Sequence, residues 1–187
     1  MSRVDSPEPR FEQRHASTWS AGTQLRRLLW ALVQATLFRW SFHTMNGWRA
    51  LLLRRFGAKV GRACVIRRTV NIEMPWHLDM ADHVCLGDHC ILYCLGPVKI
   101  HPRVTISQYS HLCAGTHDHT RRDLPLVTAP IEIESEVWIG ADVFVGPGVR
   151  IGQRSVVGAR ASVFKDLPAD QVCVGTPARP IKPRVLE

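Results

Sequence analysis

The side chains in this sequence that can exchange protons or bind metal near neutral pH are nine histidines and six cysteines. The cysteines contain no C-x-x-C pair, so their spacing does not predict a zinc site. Free thiols are typical of cytosolic proteins, and we therefore expect thiols, no disulfides and no bound metal. The cysteines are Cys64, Cys85, Cys90, Cys94, Cys113 and Cys173.

His117 is the strongest candidate for a catalytic side chain. It ends a regular stretch of sequence, and residues 118–132 after it form the longest interruption of the pattern described below. Reactive groups concentrate where a loop leaves a rigid framework. An imidazole with an ordinary pKa of about 6.5 can act as a general base, which contributes about 10²- to 10⁴-fold to a rate. A solvated histidine remains the alternative, because others lie nearby: His77, His83, His89, His101, His111 and His119.

The elements that must position His117 follow a six-residue repeat. Each hexad begins with an aliphatic residue or methionine, and its fifth residue is usually small or β-branched. A period of six fits no helix, whereas short parallel strands stacked about 4.8 Å apart fit it well. The fifteen hexads begin at Val60, Ile66, Ile72, Met80, Leu86, Leu92, Ile100, Ile106, Leu112, Ile133, Ile139, Val145, Ile151, Val157 and Val163.

The interruptions of the repeat predict a three-sided coil. Two extra residues follow the third hexad, two follow the sixth, and residues 118–132 follow the ninth. If three hexads make one turn, every insertion leaves from the same corner, as loops do in repeat proteins. We therefore expect a mainly β protein, with a parallel β-helix of about five turns over residues 60–168. The first hexad residue should point inward, the fifth should pack beside it, and the second should form the corner.

This geometry separates the histidines. Residues six apart lie on adjacent faces of the coil, so His77, His83 and His89 cannot bind one metal within a subunit, and we expect them to be solvated wall residues. His111 and His117 are also a corner apart, and only a neighbouring subunit could bring such groups together.

The segments that flank the coil differ in charge. Residues 1–22 predict a disordered polar N-terminus, residues 23–59 a helical arm, and residues 169–187 a C-terminal tail. Thr23 could cap a helix that runs to about residue 40, and a second helix is expected from Asn46 to Phe56, ended by Gly57. Residues 1–59 carry seven of the eight net positive charges. The arm could cap the open end of the coil, lie on an anionic membrane, or do both.

Composition narrows the function classes. The chain has 187 residues and 45% hydrophobic residues, which predicts one globular domain. No apolar run approaches the roughly 18 residues of a membrane span, and the polar N-terminus does not resemble a signal peptide. We expect a cytoplasmic protein, with a peripheral position at the inner face of the membrane as one option. Residues 60–187 are almost neutral and carry no base-reading motif, which argues against nucleic-acid binding.

Several stretches resemble a known family. The hexads, AGTHD, VWIGADVFVGPGVRIGQRSVVGARASVFKDLP and VGTPARPIKPR are similar to the hexapeptide-repeat acyltransferases, which are trimeric left-handed β-helix enzymes that use acetyl-CoA. The resemblance runs from about Val60 to Lys182. FHTMNGWRALLLRRFGAKVG, EMPWHLDMADHVCLGD and LYCLGP resemble exopolysaccharide O-acetyltransferases of the colanic-acid-biosynthesis type. The left hand of the coil rests on this resemblance alone.

The resemblance implies a donor site. His117 would remove the proton of the acceptor hydroxyl, and the backbone N–H of Ala141 would face the thioester carbonyl. Trp138 would wall the cleft, and the small side chain of Ala159 would let the pantetheine arm approach. Structural alternatives remain open for each, since Trp138 could simply cover the coil and Ala159 could simply form a corner. The resemblance also implies basic residues near the nucleotide phosphates, and the structural alternative for each is a solvated surface charge. These residues are Lys165, Arg179 and Lys182.

The acceptor site implied by the resemblance involves Tyr93, Cys94 and Asp118. Related enzymes usually have asparagine where this chain has Cys94, and their SHD reads THD here. A thiol cannot replace the paired donor and acceptor of an amide. Acceptor recognition is therefore the least secure part of the implied site.

The sequence as a whole predicts an acetyl-CoA-dependent O-acetyltransferase that acts on a sugar hydroxyl of an exopolysaccharide precursor. The hydroxyl would attack the thioester directly, in a cleft between subunits of a homotrimer. Cys113 as a covalent nucleophile is disfavoured because it occupies the second hexad position. Two alternatives stay open: a trimeric zinc carbonic anhydrase on the same coil, against which the GTPAR tail argues, and a non-catalytic scaffold.

Overall fold

The computed structural model describes residues 19–186, so most of the expected N-terminal tail lies outside the described residues. Its helices form an arm before the coil: α1 (Ala21–Val33), a π-helical segment (Gln34–Phe38) and α2 (Asn46–Arg55). The first helix begins before Thr23, because Ser20 is its cap and accepts a hydrogen bond from the Thr23 N–H at 3.2 Å. None of the helices in residues 19–186 is long and apolar enough to cross a membrane.

Short strands in three parallel sheets form the coil. Sheet A contains β1 (Lys59–Val60), β4 (Leu78–Met80), β7 (Val98–Ile100), β12 (Ile131–Ile133) and β15 (Arg150–Ile151). Sheet B contains β2 (Val65–Ile66), β5 (Cys85–Leu86), β8 (Thr105–Ile106), β13 (Trp138–Ile139), β16 (Val156–Val157) and β18 (Gln171–Val174), with β19 (Arg179–Pro183) antiparallel at its end. Sheet C contains β3 (Asn71–Glu73), β6 (Ile91–Tyr93), β9 (His111–Cys113), β14 (Phe144–Val145) and β17 (Ser162–Val163).

The predicted hexad register is confirmed. All fifteen hexad-starting residues are buried, with relative exposures of 0 to 9%, and they stack in register from one turn to the next. The coil has about six turns and not five. Leu167 bridges Ile151 in sheet A and Cys173 pairs with Val157 in sheet B. The chain is shortened by two residues between Val163 and Leu167, and this slip hid the sixth turn from the sequence pattern.

The corners differ from the prediction in one respect. The turn itself lies at the third and fourth hexad positions, not at the second. The second position lies against the backbone of the next turn: a Cβ at Gly87 would stand 2.6 Å from the Gln108 nitrogen, and one at Gly140 would stand 2.8 Å from the Ala159 nitrogen. Non-glycine residues with left-handed backbone at the fourth position of the fifteen hexads are Ala63, His83, His89, Arg103, Tyr109, Glu136, Asp142, Arg154 and Arg160.

The helical arm caps the first turn, whose edge strands would otherwise expose unpaired backbone groups. On sheet A, Arg54 Nε donates to the Val60 carbonyl at 2.9 Å. On sheet B, the Ile66 N–H donates to Asn46 Oδ1 at 3.1 Å, and Arg49 Nε donates to the Ile66 carbonyl at 2.6 Å. Side chains thus replace the missing neighbouring strand.

The edge of sheet C is covered in the same way. The Ile72 N–H donates to Gln34 Oε1 at 2.8 Å, and Trp30 Nε1 donates to the Ile72 carbonyl at 2.6 Å. Trp30 is almost completely buried, and its ring contacts those of Phe38 and Phe56. The arm therefore performs the capping role, and its other face stays exposed.

The outer faces of the sheets differ sharply. Sheet A presents a row of alternating charges, Lys59, Asp79, Lys99, Glu132 and Arg150, one from each turn. Sheet C presents Ile91 and a chain of ring contacts whose centroids lie 5.5 to 6.2 Å apart: Tyr93, His111, Phe144 and Phe164. Only the first face suits permanent contact with water.

Candidate functional site

His117 lies in a β-hairpin that projects from the corner between sheets C and A, called here the CA corner. Strand β10 (Gly115–His117) pairs antiparallel with β11 (Leu126–Thr128), so that His117 faces Leu126. The chain re-enters sheet A at Ile131. The excursion therefore begins and ends earlier than the expected residues 118–132, because the last three residues of the ninth hexad pair within the hairpin.

A backbone carbonyl fixes the tautomer of His117. Its Nδ1 lies 2.6 Å from the Leu124 carbonyl oxygen. Because a carbonyl can only accept, Nδ1 must carry the proton, and Nε2 presents its lone pair. Leu124 is itself held in left-handed backbone conformation, with φ of 45°. The exposed ring can therefore accept a proton at Nε2 without changing the bond that orients it.

Asp118 organises the tip of the hairpin. Its Oδ1 accepts hydrogen bonds from the Thr120 hydroxyl at 2.6 Å and the Thr120 N–H at 3.0 Å, and these bonds lower the pKa of the carboxyl. Arg121 forms a two-pronged ion pair with Asp123 in the same loop. One carboxylate oxygen of Asp118 therefore stabilises the loop that contains Leu124, whose carbonyl contacts His117.

Tyr93 and Cys94, the two other expected acceptor residues, differ in their exposure. Tyr93 is exposed and pairs with Cys113 at the base of the hairpin. The side chain of Cys94 is fully buried in the coil, and burial raises the pKa of its thiol. The expectation that Cys94 holds the acceptor is therefore corrected, because an apolar thiol is more stable in the core. Only its backbone carbonyl is used, by His77.

The expected donor residues Ala141 and Ala159 lie at the corner between sheets B and C, called here the BC corner. They occupy the same hexad position in successive turns. The carbonyl of Ala141 accepts a hydrogen bond from the Arg160 N–H at 2.9 Å, whereas the N–H of Ala141 donates to no group within residues 19–186. Trp138, on sheet B beside them, is half-exposed, and its Nε1 donates to the Ser107 hydroxyl at 3.0 Å.

Side-chain size changes along this corner. In the first three turns the third hexad position is occupied by Arg68, Asp88 and Gln108, and in the next two turns by Ala141 and Ala159. We call the stretch of backbone beside these two small side chains the trough. An extended, narrow molecule could lie there against the backbone.

The three basic candidates are all exposed but do not lie together. Arg179 and Lys182 belong to β19, which pairs with β18 at the upper end of sheet B. Lys165 follows β17 and lies at the CA corner, above the His117 hairpin. Two of the three could therefore meet a phosphate at the end of the trough, and the third could meet one only from another direction.

The expected site is thus divided between two corners of one protomer. His117, Tyr93 and Lys165 lie at the CA corner, and Ala141 with Ala159 at the BC corner. The full width of sheet C separates the two sets. The described protomer alone therefore does not bring the two sets into one cleft.

His77 differs from the solvated wall residue that the spacing predicts, and His111, which that prediction does not include, is also partly buried. His77 is half-buried in a 3-10 turn (Pro75–His77), and its Nδ1 lies 2.9 Å from the Cys94 carbonyl. His111 lies between the rings of Tyr93 and Phe144, and its Nε2 is buried with no hydrogen-bond partner within the described chain. Burial lowers the pKa of His111. The two-residue insertion after His77, which puts it at the CA corner, was the available sequence signal.

Comparison with known proteins identifies the family. A model for bacterial transferase hexapeptide repeats (six repeats) matches residues 130–165. The colanic acid biosynthesis acetyltransferase WcaF of Escherichia coli K12 is 49% identical over 164 residues, which cover 88% of this chain and 90% of that protein. The chain belongs to the hexapeptide-repeat acetyltransferases. The resemblance to the colanic-acid-biosynthesis type is confirmed.

Two further relatives support this assignment of the enzyme. Galactoside O-acetyltransferase of Escherichia coli K12 is 41% identical over 114 residues, 60% of this chain and 51% of that one. The crystal structure of a hexapeptide-repeat acetyltransferase from Vibrio cholerae has a TM-score of 0.81 and 26% identity, covering 88% of this chain and 93% of that chain. The same Vibrio protein was also solved in complex with acetyl coenzyme A. An acetyltransferase, not a zinc carbonic anhydrase, is thus the class of this enzyme.

Proposed function

We propose that this enzyme transfers the acetyl group of acetyl-CoA to a sugar hydroxyl of an exopolysaccharide precursor, with His117 as the general base. The bond between His117 Nδ1 and the Leu124 carbonyl, at 2.6 Å, carries the proposal because it leaves Nε2 ready to accept a proton. The names of WcaF and galactoside O-acetyltransferase support a sugar acceptor. The acetyl-CoA complex of the Vibrio relative supports the donor.

In this reaction the acceptor oxygen attacks the thioester carbon while Nε2 of His117 takes the hydroxyl proton. Negative charge on the carbonyl oxygen is stabilised by the N–H of Ala141 from the neighbouring protomer; one such donor is worth about 2.7 to 4 kcal/mol. The C–S bond then breaks, and the imidazolium returns its proton to the coenzyme A thiolate. Cys113 takes no part, because its half-buried thiol donates to the Gly115 carbonyl at 3.1 Å.

The active unit is a homotrimer in which sheets B and C face neighbouring protomers and sheet A faces water. The alternating charges of sheet A are stable in solvent, whereas sheet C exposes Ile91 and Phe164.

Replacement of His117 tests the catalytic step. His117→Asn should lower kcat by about a hundredfold or more, because the amide can still donate to Leu124 but cannot act as a base. Binding of acetyl-CoA, measured by calorimetry, should be unchanged. The matched control is His83→Ala, an exposed histidine at the AB corner, which should retain full activity. Normal turnover by His117→Asn would refute the role of this ring.

A second element of the proposal concerns the arm, residues 23–59, which we place on an anionic membrane surface at the cytoplasmic side. The face that does not cap the coil exposes Trp40 by 83% and Phe42 by 77%, beside a groove of about 510 Å³. Residues 19–59 carry seven Lys and Arg and no Asp or Glu. Exposed apolar rings in a segment whose charged residues are all basic are typical of a surface that binds anionic lipid.

The double substitution Trp40→Ser and Phe42→Ser tests this contact without disturbing the capping side chains. Binding to vesicles of phosphatidylglycerol and phosphatidylcholine should fall by about tenfold or more, since each buried ring contributes roughly 1.5 to 3 kcal/mol. Ile181→Ser, at an apolar residue that is also exposed but belongs to β19 and not to the arm, is the control. Unchanged sedimentation with the vesicles would leave the arm with its capping role alone.

A further inference from the structure

His77 lies at the CA corner, below the hairpin that carries His117. The 3-10 turn Pro75–His77 follows Met74, which is buried and has left-handed backbone, so the turn is firmly seated on the coil. The neighbouring Trp76 is fixed by the guanidinium of Arg26, which lies 4.2 Å from the ring centroid. The position of His77 is therefore set by both the coil and the arm.

Packing contacts connect His77 with the hairpin. Its Nδ1 lies 2.9 Å from the Cys94 carbonyl. Two residues later, a Cβ at Gly96 would stand 3.0 Å from the Ala114 carbonyl oxygen and 3.1 Å from that of Ala129, the two residues that close the hairpin. The loop that His77 binds is thus packed directly against the base of the hairpin.

His77 and His117 share one hydrogen-bonding arrangement. In each, Nδ1 faces a backbone carbonyl, Leu124 for His117 and Cys94 for His77, so Nδ1 carries the proton. Each ring therefore presents the lone pair of Nε2. The ring of His77 is half-buried, and its bond to the Cys94 carbonyl fixes its orientation. Such a ring is more typical of a group that binds a ligand than of a mobile surface side chain.

We propose that His77 binds the sugar acceptor, with Nε2 accepting a hydrogen bond from a second hydroxyl while the reacting hydroxyl faces His117. This inference rests on the proposed function. It assigns acceptor recognition to His77, because the thiol of Cys94 is buried and cannot contact a sugar. A polyhydroxylated acceptor is required, because both imidazoles accept from separate hydroxyl groups.

Two substitutions separate recognition from a structural role. His77→Asn places an amide N–H near the site of Nδ1 and keeps the bond to Cys94, but removes Nε2. His77→Gln places a polar atom near the site of Nε2 but loses the bond to Cys94. The acceptors are methyl galactoside, methyl glucoside and methyl mannoside, with the monodeoxy analogues of whichever sugar the unchanged enzyme acetylates best.

His77→Asn should raise the KM of the acceptor by about tenfold, the value of one good hydrogen bond, with the KM of acetyl-CoA and the Tm unchanged. His77→Gln should recover part of the acceptor affinity at a lower Tm. One monodeoxy analogue should be poor for the unchanged enzyme and no worse than its parent sugar for His77→Asn.

The opposite pattern, a normal His77→Asn and an impaired His77→Gln, would show that the ring only supports the Cys94 loop, and would overturn the inference. If the unchanged enzyme acetylates none of the sugars, the proposed function itself fails and this inference falls with it. If acetylation requires His117 but is indifferent to His77, only the inference fails.

Discussion

The CA and BC corners of the coil are built from the same hexads but have diverged in opposite ways. The CA corner accepts every insertion, including the hairpin of His117, and it carries polar groups that can exchange or receive protons. The BC corner has no insertion, and at its third hexad position the large side chains of the first three turns are replaced by Ala141 and Ala159 in the next two. The CA corner has thus gained reactive side chains, whereas the small side chains of the BC corner leave its backbone accessible.

The difference shows how a rigid coil can form a reaction site without a cavity of its own. Neither corner is enclosed within one protomer, and sheet C lies between them. Two protomers placed side by side would convert an exposed base and an exposed backbone trough into one cleft. The following predictions test that division, from the largest effect to the smallest.

Sheet C should be the contact that joins the corners. Ile91→Arg places a cation on its outer face and should dissociate the proposed trimer, with loss of nearly all activity, because an unpaired charge at an interface is strongly unfavourable. Light scattering after gel filtration measures the mass. Lys99→Gln on sheet A, where Lys99 lies 3.6 Å from Glu132 at the surface, should change neither mass nor activity. A trimeric Ile91→Arg enzyme would place the interface elsewhere.

The BC corner should bind the donor. Ala159→Trp fills the trough and should weaken acetyl-CoA binding by about a hundredfold, equivalent to roughly 2.7 kcal/mol. Ala159 is exposed, so the fold should tolerate the change, and calorimetry measures the affinity. Ala169→Trp provides the matched control, since Ala169 is also an exposed third-position residue but lies at the AB corner. Equal affinity in both variants would remove the trough from the donor site.

The coil was predictable because its signal is repeated fifteen times and depends only on burial. Where the repeat slips by two residues, between Val163 and Leu167, the sequence pattern ended and the sixth turn was missed. The capping bonds were also invisible, because nothing in the sequence pairs Gln34 with Ile72 or Arg49 with Ile66. Such bonds depend on where a helix docks, which local patterns do not specify.

The candidate site was less predictable than the fold. The sequence makes His117 a candidate because it precedes the one long insertion, but its partner, the Leu124 carbonyl, depends on the hairpin conformation. Cys94 was placed at the acceptor by resemblance, whereas burial of its thiol in the core decides its orientation. Hexad spacing alone predicts a solvated wall residue at His77, and its half-buried position depends on the 3-10 turn that precedes the two-residue insertion.

The central claim is that each reaction site combines His117 of one protomer with Ala141 and Ala159 of another. It is tested most directly by co-expressing His117→Asn, which lacks the base, with Ala159→Trp, which binds acetyl-CoA weakly, and assaying the mixed trimers at an acetyl-CoA concentration too low to saturate Ala159→Trp. Random assembly of a one-to-one mixture should give sites with both intact halves at about a quarter of the wild-type number, and activity should recover to that level. Activity no higher than that of the separate variants, with mixed trimers present, would show that one protomer contains the whole site and would contradict the claim.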